Sequence, residues 1–150
     1  MRSLAALVPA TVEGILRDVS LASATGVPGL ERIADHAGCA LIEAADIRAA
    51  LLQALAATRE TNVLLLRAGC APEAGFGEEL SELIGDGHRL ARLRERPDGF
   101  LTRLFPALAP AAAVLAPRER LAQIAAADFA AISRALGRAP TLRCRARRVD

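Results

Sequence analysis

The chain has 150 residues, of which 53% are hydrophobic, and this is enough to bury the core of one compact domain. Its formal net charge is only +2 and no basic stripe precedes the C-terminal end, so the sequence does not predict a nucleic-acid-binding protein. No apolar run approaches the length of a membrane-spanning helix.

Cysteine and histidine usage argues against a disulfide scaffold and against a metal centre. Cys39, Cys70 and Cys144 are odd in number and widely spaced, with no C-x-x-C pair among them. His36 and His88 are far apart in the sequence and lack the neighbours that a ligand set needs. Reduced thiols fit this pattern, so we expect a cytoplasmic protein without a cofactor.

The two ends of the chain differ in composition from the middle. Apolar residues recur at roughly helical spacing from residue 10 to residue 23, Thr11 fits an N-cap, and Gly26 fits a helix stop. Residues 138–150 hold five arginines and little apolar content, which predicts a frayed tail. The sequence therefore predicts an N-terminal helical arm at 1–27, a domain at 28–137 and an Arg-rich tail at 138–150.

The first half of the predicted domain alternates helices and strands. Asp46 stands where a helix N-cap belongs, and the apolar residues after it follow a helical stripe. The unbroken apolar run of the second strand predicts a central strand that is covered on both faces. In chain order the predicted elements are a helix at Leu30–His36, a strand at Cys39–Glu43, a helix from Asp46 to Ala57 and a strand at Asn62–Leu66.

The second half is predicted to contain shorter elements. Residues 88–93 alternate polar and apolar side chains, as in an exposed strand, and Asp128 fits the N-cap of a last helix. The predicted elements are a helix at Gly77–Ile84, a strand at His88–Leu93, a helical turn at Phe100–Phe105, a hairpin of strands Ala111–Leu115 and Leu121–Ala125, and a helix from Asp128 to Gly137.

From Asn62 onward, the order of strand, breaker, helix, short strand, Ala-Pro and further strand resembles thioredoxin. The resemblance implies an α/β fold with a central mixed β-sheet flanked by helices, and a cis Ala109–Pro110 bond facing the loop at Cys70, with Pro106 as the competitor. Glu73 stands where the second cysteine of C-x-x-C is expected. An intramolecular dithiol–disulfide cycle is therefore excluded.

A closer resemblance is to the HyaE/HupG-type hydrogenase accessory proteins, over roughly Leu30 to Leu136. It rests on the leading helix to Gly38, on the strand at residues 63–66 and on the segment from Phe105 to Pro110. The resemblance implies a cytoplasmic, non-enzymatic chaperone in [NiFe] hydrogenase maturation. Its partner would be the hydrogenase small subunit or the twin-arginine signal peptide of that subunit.

Such a chaperone would bind an extended peptide beside the Ala-Pro pair, while carboxylates on the following helix contact the paired arginines. A solvated helix face explains the same carboxylates, and a small apolar filler explains the cysteine. The predicted partner-binding residues are Cys70, Glu73, Glu78, Glu79, Glu82, Ala109 and Pro110.

Two alternatives belong to other functional classes. Cys70 at a strand-to-helix junction would have a lowered thiol pKa, as in a monothiol oxidoreductase that forms mixed disulfides. Alternatively, the N-terminal arm forms a homodimer and the domain is a structural subunit of a complex.

Overall fold

Two β-sheets organise the part of the chain that the computed structural model describes, residues 2–149. Met1 and Asp150, the outer ends of the predicted arm and tail, lie outside it. Helices and strands alternate along much of the chain, so the prediction of the α/β class is confirmed. The strands are β1 (Ser20–Ala24), β2 (Ala40–Ala44), β3 (Asn62–Leu66), β4 (Cys70–Pro72), β5 (Ala91–Glu95), β6 (Ala111–Pro117) and β7 (Thr141–Arg148).

The helices are short, and two of them begin at an aspartate whose side chain accepts a hydrogen bond from a free backbone N–H group of the first turn. Asp46 accepts a hydrogen bond of 2.7 Å from the backbone N–H of Ala49, and Asp128 caps the last helix through Ala130. The helices are α1 (Arg2–Ala5), α2 (Val8–Val12), α3 (Leu30–Ala37), α4 (Ile47–Ala57), α5 (Phe76–Gly85), α6 (Phe100–Leu104), α7 (Arg118–Ile124) and α8 (Phe129–Ala135), with a 3-10 turn at Pro106–Leu108.

The sheet topology brings particular strand ends together. β1 and β2 form a parallel pair, and the five-stranded sheet has the order β3-β6-β5-β7-β4. β5 and β7 are parallel, while the other neighbouring strands of this sheet are antiparallel. The carboxyl ends of β3, β5 and β7 therefore meet at one edge, where β4 and β6 begin.

The core has two parts, one on each face of the five-stranded sheet. On one face, Leu93 and Leu142 pack with Phe76 and Leu80 of α5. On the other face, α4, α7 and α8 pack against β6, mainly through leucines and alanines. α4 also packs against β1 and β2, so this helix joins the two sheets.

The predicted helix at residues 10–23 is wrong. α2 ends at Val12, Gly14 has a positive φ of 75°, and residues 20–24 form β1 instead. Thr11 does not cap a helix, since its hydroxyl donates to the carbonyl of Leu7 within α2. Parallel pairing with β2 satisfies the backbone N–H and carbonyl groups of β1. A local sequence pattern does not reveal such a partner strand.

Two predictions about the five-stranded sheet are also wrong in part. β3 has the predicted bounds but lies at the end of the sheet, and each of its residues is only half-buried. The strand predicted at His88–Leu93 begins later, at Ala91, and is not exposed, because β6 and β7 flank it on both sides.

The returning strand at Leu121–Ala125 is instead α7, whose single buried leucine, Leu121, packs against β6 and α8. The expected frayed tail contains β7, in which Leu142 and Ala146 are buried among arginines that are exposed or half-buried. β1 and β7 thus draw residues from the predicted arm and tail, and the proposed boundaries at 27/28 and 137/138 stay predictions.

The cis peptide bond predicted at Ala109–Pro110 is wrong. The peptide bonds of the described residues are all trans, including the one before the competitor, Pro106. Among residues 2–149, no helix combines the length and the apolar character that crossing a membrane requires.

The central position of β5 gives the first prediction. Leu93 is 1% exposed at the middle of the sheet, so Leu93→Ala leaves a cavity and should lower the free energy of unfolding by about 2–5 kcal/mol. Leu101→Ala is the matched control, because Leu101 is 65% exposed, and it should change little. Urea unfolding followed by circular dichroism measures both, and equal losses would contradict the observed packing.

Candidate functional site

The most unusual group of charges lies where the carboxyl ends of β3, β5 and β7 meet. Arg67 follows β3, Glu95 ends β5, and Arg148 ends β7. Residues 67–69 form a turn, closed by a hydrogen bond from Cys70 N to the carbonyl of Arg67, that connects β3 to β4. In open α/β sheets, ligands bind in the crevice outside the carboxyl ends of parallel strands, and β3, β5 and β7 end together at this edge.

Glu95 is the centre of this cluster. Ala91, Leu93 and Glu95 are the inward residues of β5, so strand alternation places the carboxylate on the apolar face of the sheet, where its side chain is 5% exposed. Arg67 Nη2 donates to Oε1, and Arg148 Nε donates to Oε2 over 2.8 Å. A buried carboxylate is costly unless it is paired, and here both of its oxygens are paired.

The two arginines are less buried than the carboxylate that holds them. Their side chains are 32% exposed for Arg67 and 67% exposed for Arg148. Each guanidinium has five N–H donors, and within residues 2–149 the only other hydrogen bond from either one runs from Arg67 Nη2 to the sulfur of Cys70, at 3.4 Å. The cluster therefore offers free donors and one positive charge in excess, which suits a phosphate or carboxylate ligand.

Cys70 is next to this cluster but is not placed for thiol chemistry. It is 1% exposed and begins β4, whereas α5 begins only at Phe76. No helix N-terminus is therefore adjacent to the thiol, so the strand-to-helix placement predicted for a monothiol oxidoreductase is wrong. Cys144 is no substitute, because burial, together with Glu79, raises the pKa of its thiol to about 12.

The predicted acidic residues do not form one surface. Glu73 is half-buried and lies 3.8 Å from Arg96, while Glu78 and Glu82 are exposed. Glu79 accepts hydrogen bonds from the backbone N–H groups of Arg143 and Cys144, so it anchors β7.

The environment of Glu79 has opposing effects on its carboxyl group. Burial raises the pKa, but the hydrogen bonds from the backbone N–H groups of Arg143 and Cys144 outweigh it. The pKa of Glu79 is therefore held below its ordinary value, and the carboxylate is the form that the fold stabilises.

Ala109 and Pro110 lie at the same edge of the sheet as the cluster, and they contact β5 through their backbone carbonyl groups. The carbonyl of Pro110 accepts from the N–H of Glu95 over 2.9 Å, and the carbonyl of Ala109 accepts from Arg94. Of the predicted site residues, the structure thus brings Cys70, Ala109 and Pro110 near Glu95. Glu78 and Glu82 stay on the outer surface of α5, away from these contacts.

Sequence reasoning missed the three residues that form the cluster. Glu95 was detectable in principle, since it continues the inward alternation of β5, and a carboxylate at a buried position needs cationic partners. Arg67 and Arg148 carried no such signal, because their meeting depends on the sheet order.

Metal-ligating side chains and surface depressions do not add to the charge cluster. The described residues include no group of three His, Cys, Asp or Glu side chains that could hold a metal ion. A shallow, open depression of about 470 Å³ lies between the β1–α3 turn and β2, lined partly by Pro28, Arg32 and Glu43. It includes none of the cluster residues.

Comparisons with known proteins give one match, which comes from structure. No protein-family model matches the chain, and no curated protein matches it significantly. The chain is similar to the crystal structure of glucosyl-3-phosphoglycerate synthase from Mycobacterium tuberculosis in complex with phosphoglyceric acid, with a TM-score of 0.54 and 20% sequence identity. The match covers 79% of this chain and 53% of that chain, so the chain spans about half the length of the synthase. At this identity the match shows the fold alone.

This match overturns the resemblance to thioredoxin and to the hydrogenase accessory proteins. The fold is similar to that of this synthase, so the prediction of a chaperone for a hydrogenase small subunit is wrong, and the oxidoreductase alternative has no support. The expectation of a non-enzymatic protein is wrong as well, because it rested on that resemblance and the matching structure is an enzyme.

The anchoring role of Glu79 gives a prediction with a defined pH dependence. Glu79→Gln should lower the free energy of unfolding by about 1 kcal/mol at pH 7, a value discounted for solvent screening of a partly exposed group. Because the folded-state pKa is lowered, this contribution is present above the unfolded pKa and is lost as the pH falls through the folded pKa.

Urea unfolding at pH 7 and at pH 3 measures the effect, with Glu78→Gln on the exposed side of α5 as the control. The difference between Glu79→Gln and wild type should shrink at the lower pH. A loss of the same size at both pH values, or an equal loss in the control, would refute the anchoring role.

Proposed function

We propose that this chain is a glycosyltransferase-like enzyme domain that binds a phosphorylated ligand at the carboxyl edge of its five-stranded sheet. The observation that carries the proposal is the cluster in which Glu95 holds Arg67 and Arg148 at that edge. The fold likeness supports it, since the matching protein is named as a synthase of a glucosylated phosphoglycerate and contains phosphoglyceric acid.

The geometry assigns different tasks to the three residues. Arg67 and Arg148 bind the ligand, because their outer N–H groups are exposed and free of partners in the described part of the chain. Glu95 is a positioning residue, since both of its oxygens are engaged and little of its side chain reaches solvent. Fixing two long side chains before the ligand arrives reduces the entropy lost on binding.

The same arrangement suits the chemistry of glycosyl transfer. In such a transfer, an acceptor hydroxyl bonds to the anomeric carbon and loses its proton, while the bond from that carbon to the phosphate oxygen of the donor breaks. The departing phosphate gains negative charge in the transition state. Guanidinium groups already in place stabilise this charge without reorganisation.

The proposal also covers the partner and the location of the protein. The partner is a small phosphorylated molecule, with a phosphorylated sugar acid and a nucleoside-diphosphate sugar as the two classes to test. The cytoplasmic location expected from the thiols stays part of the proposal.

Isothermal titration calorimetry with 3-phosphoglycerate and with UDP-glucose tests the binding site. Arg67→Gln and Arg148→Gln should each lower the affinity for the ligand by about 10–100-fold, because a hydrogen bond to a charged group contributes about 1.5–3 kcal/mol. Arg89→Gln is the matched control, since Arg89 is exposed and precedes β5, and it should bind like wild type.

Circular dichroism distinguishes loss of binding from loss of folding. Arg148→Gln is the safer variant, because Arg67 still pairs with the buried Glu95 in it. The proposal is wrong if neither ligand binds to the wild-type protein, or if both arginine variants bind as tightly as the control.

A further inference from the structure

A second group of arginines lies on the other face of the five-stranded sheet. Side chains alternate along a strand, so Arg92 and Arg94 of β5 point away from the face that holds Glu95. β7 runs parallel to β5, and Arg145 is the register partner of Arg94. Three guanidiniums therefore belong to two adjacent strands on one face.

Neutral carbonyl groups satisfy only some of these donors. Arg92 Nη2 donates to the carbonyls of Ser133 and Gly137, at the end of α8, over 2.7 and 3.0 Å. Arg94 Nη1 donates to the carbonyl of Ala109 over 2.6 Å. Arg92 Nε and Arg145 Nη1 are buried and have no hydrogen-bond partner in the described part of the chain.

The three charges also lack a counter-ion. In residues 2–149, no carboxylate oxygen lies within 4 Å of a nitrogen of Arg92, Arg94 or Arg145. Burial, and then the charges of Arg92 and Arg145, lower the pKa of Arg94, as expected of like charges held together. The arginines that do pair with carboxylates in this part of the chain are Arg17, Arg67, Arg96 and Arg148.

We propose that Arg92, Arg94 and Arg145 form a binding site for a phosphate group, separate from the edge cluster. A tetrahedral dianion accepts several hydrogen bonds at once, so it can bridge the guanidinium groups of the three arginines. It also supplies the negative charge that the surrounding carbonyls lack. The site goes beyond the proposed function, because it shares no side chain with Arg67, Glu95 and Arg148 and lies on the opposite face of the sheet.

Thermal unfolding in anion-poor buffer and in millimolar inorganic phosphate tests the site. A ligand that binds only the folded state raises the melting temperature, and we expect a rise of roughly 2–4 °C. The comparison is made in the Arg148→Gln background, which weakens binding at the edge cluster while Arg67 still pairs with Glu95. Sodium acetate at the same ionic strength controls for general screening.

Arg145→Gln is the decisive variant, because Arg145 donates no side-chain hydrogen bond within residues 2–149. Adding it to the Arg148→Gln background should abolish the phosphate response and should leave the protein at least as stable in anion-poor buffer, since a repulsive charge has been removed. Arg89→Gln in the same background should keep the full response. Arg94→Gln in the same background should also weaken the phosphate response.

Three results would overturn the proposal. The first is an unchanged phosphate response after Arg145→Gln. The second is a clear loss of stability, or failure to fold, caused by Arg145→Gln in anion-poor buffer, because the side chain would then be stabilising without an anion. The third is stabilisation by phosphatidylglycerol vesicles with none by free phosphate, which would assign the charges to a membrane surface.

Discussion

The buried carboxylate of Glu95 is the constraint on which this edge of the structure depends. It lies on the apolar face of the central strand β5, and a carboxylate there is tolerated only if cations reach it. Arg67 comes from the turn that follows β3, and Arg148 comes from the end of β7. One charge therefore ties together three distant parts of the sequence, and it fixes the two arginines where a ligand of an α/β sheet is expected.

The distribution of arginine on β5 and β7 follows from strand alternation. Both strands place small or apolar residues on one face, with Leu93 and Leu142 in the core, and place arginines on the other. Glu95 and Arg148 are the exceptions on the apolar face, and they pair with each other at the edge of the sheet. The arginines of the opposite face have carbonyl partners but no paired carboxylate in the described part of the chain, so the two faces differ in what they can bind.

The sequence predicted the elements whose stability is local. Asp46 and its apolar stripe specified α4, and the apolar run at residues 62–66 specified β3. It failed where distant pairing decides the structure: β1 depends on β2, and β7 was hidden because its arginines made it resemble a disordered tail. The candidate site was missed for the same reason, since only the sheet order brings Arg67 and Arg148 to Glu95.

The central claim is that the Arg67–Glu95–Arg148 cluster holds the phosphate of a ligand. A crystal structure of the wild-type protein grown with 3-phosphoglycerate tests it most directly. The account predicts the phosphate oxygens within about 3 Å of both guanidiniums, with Glu95 still paired to each arginine. Phosphoglycerate bound elsewhere, with the outer N–H groups of Arg67 and Arg148 facing only water, would contradict it.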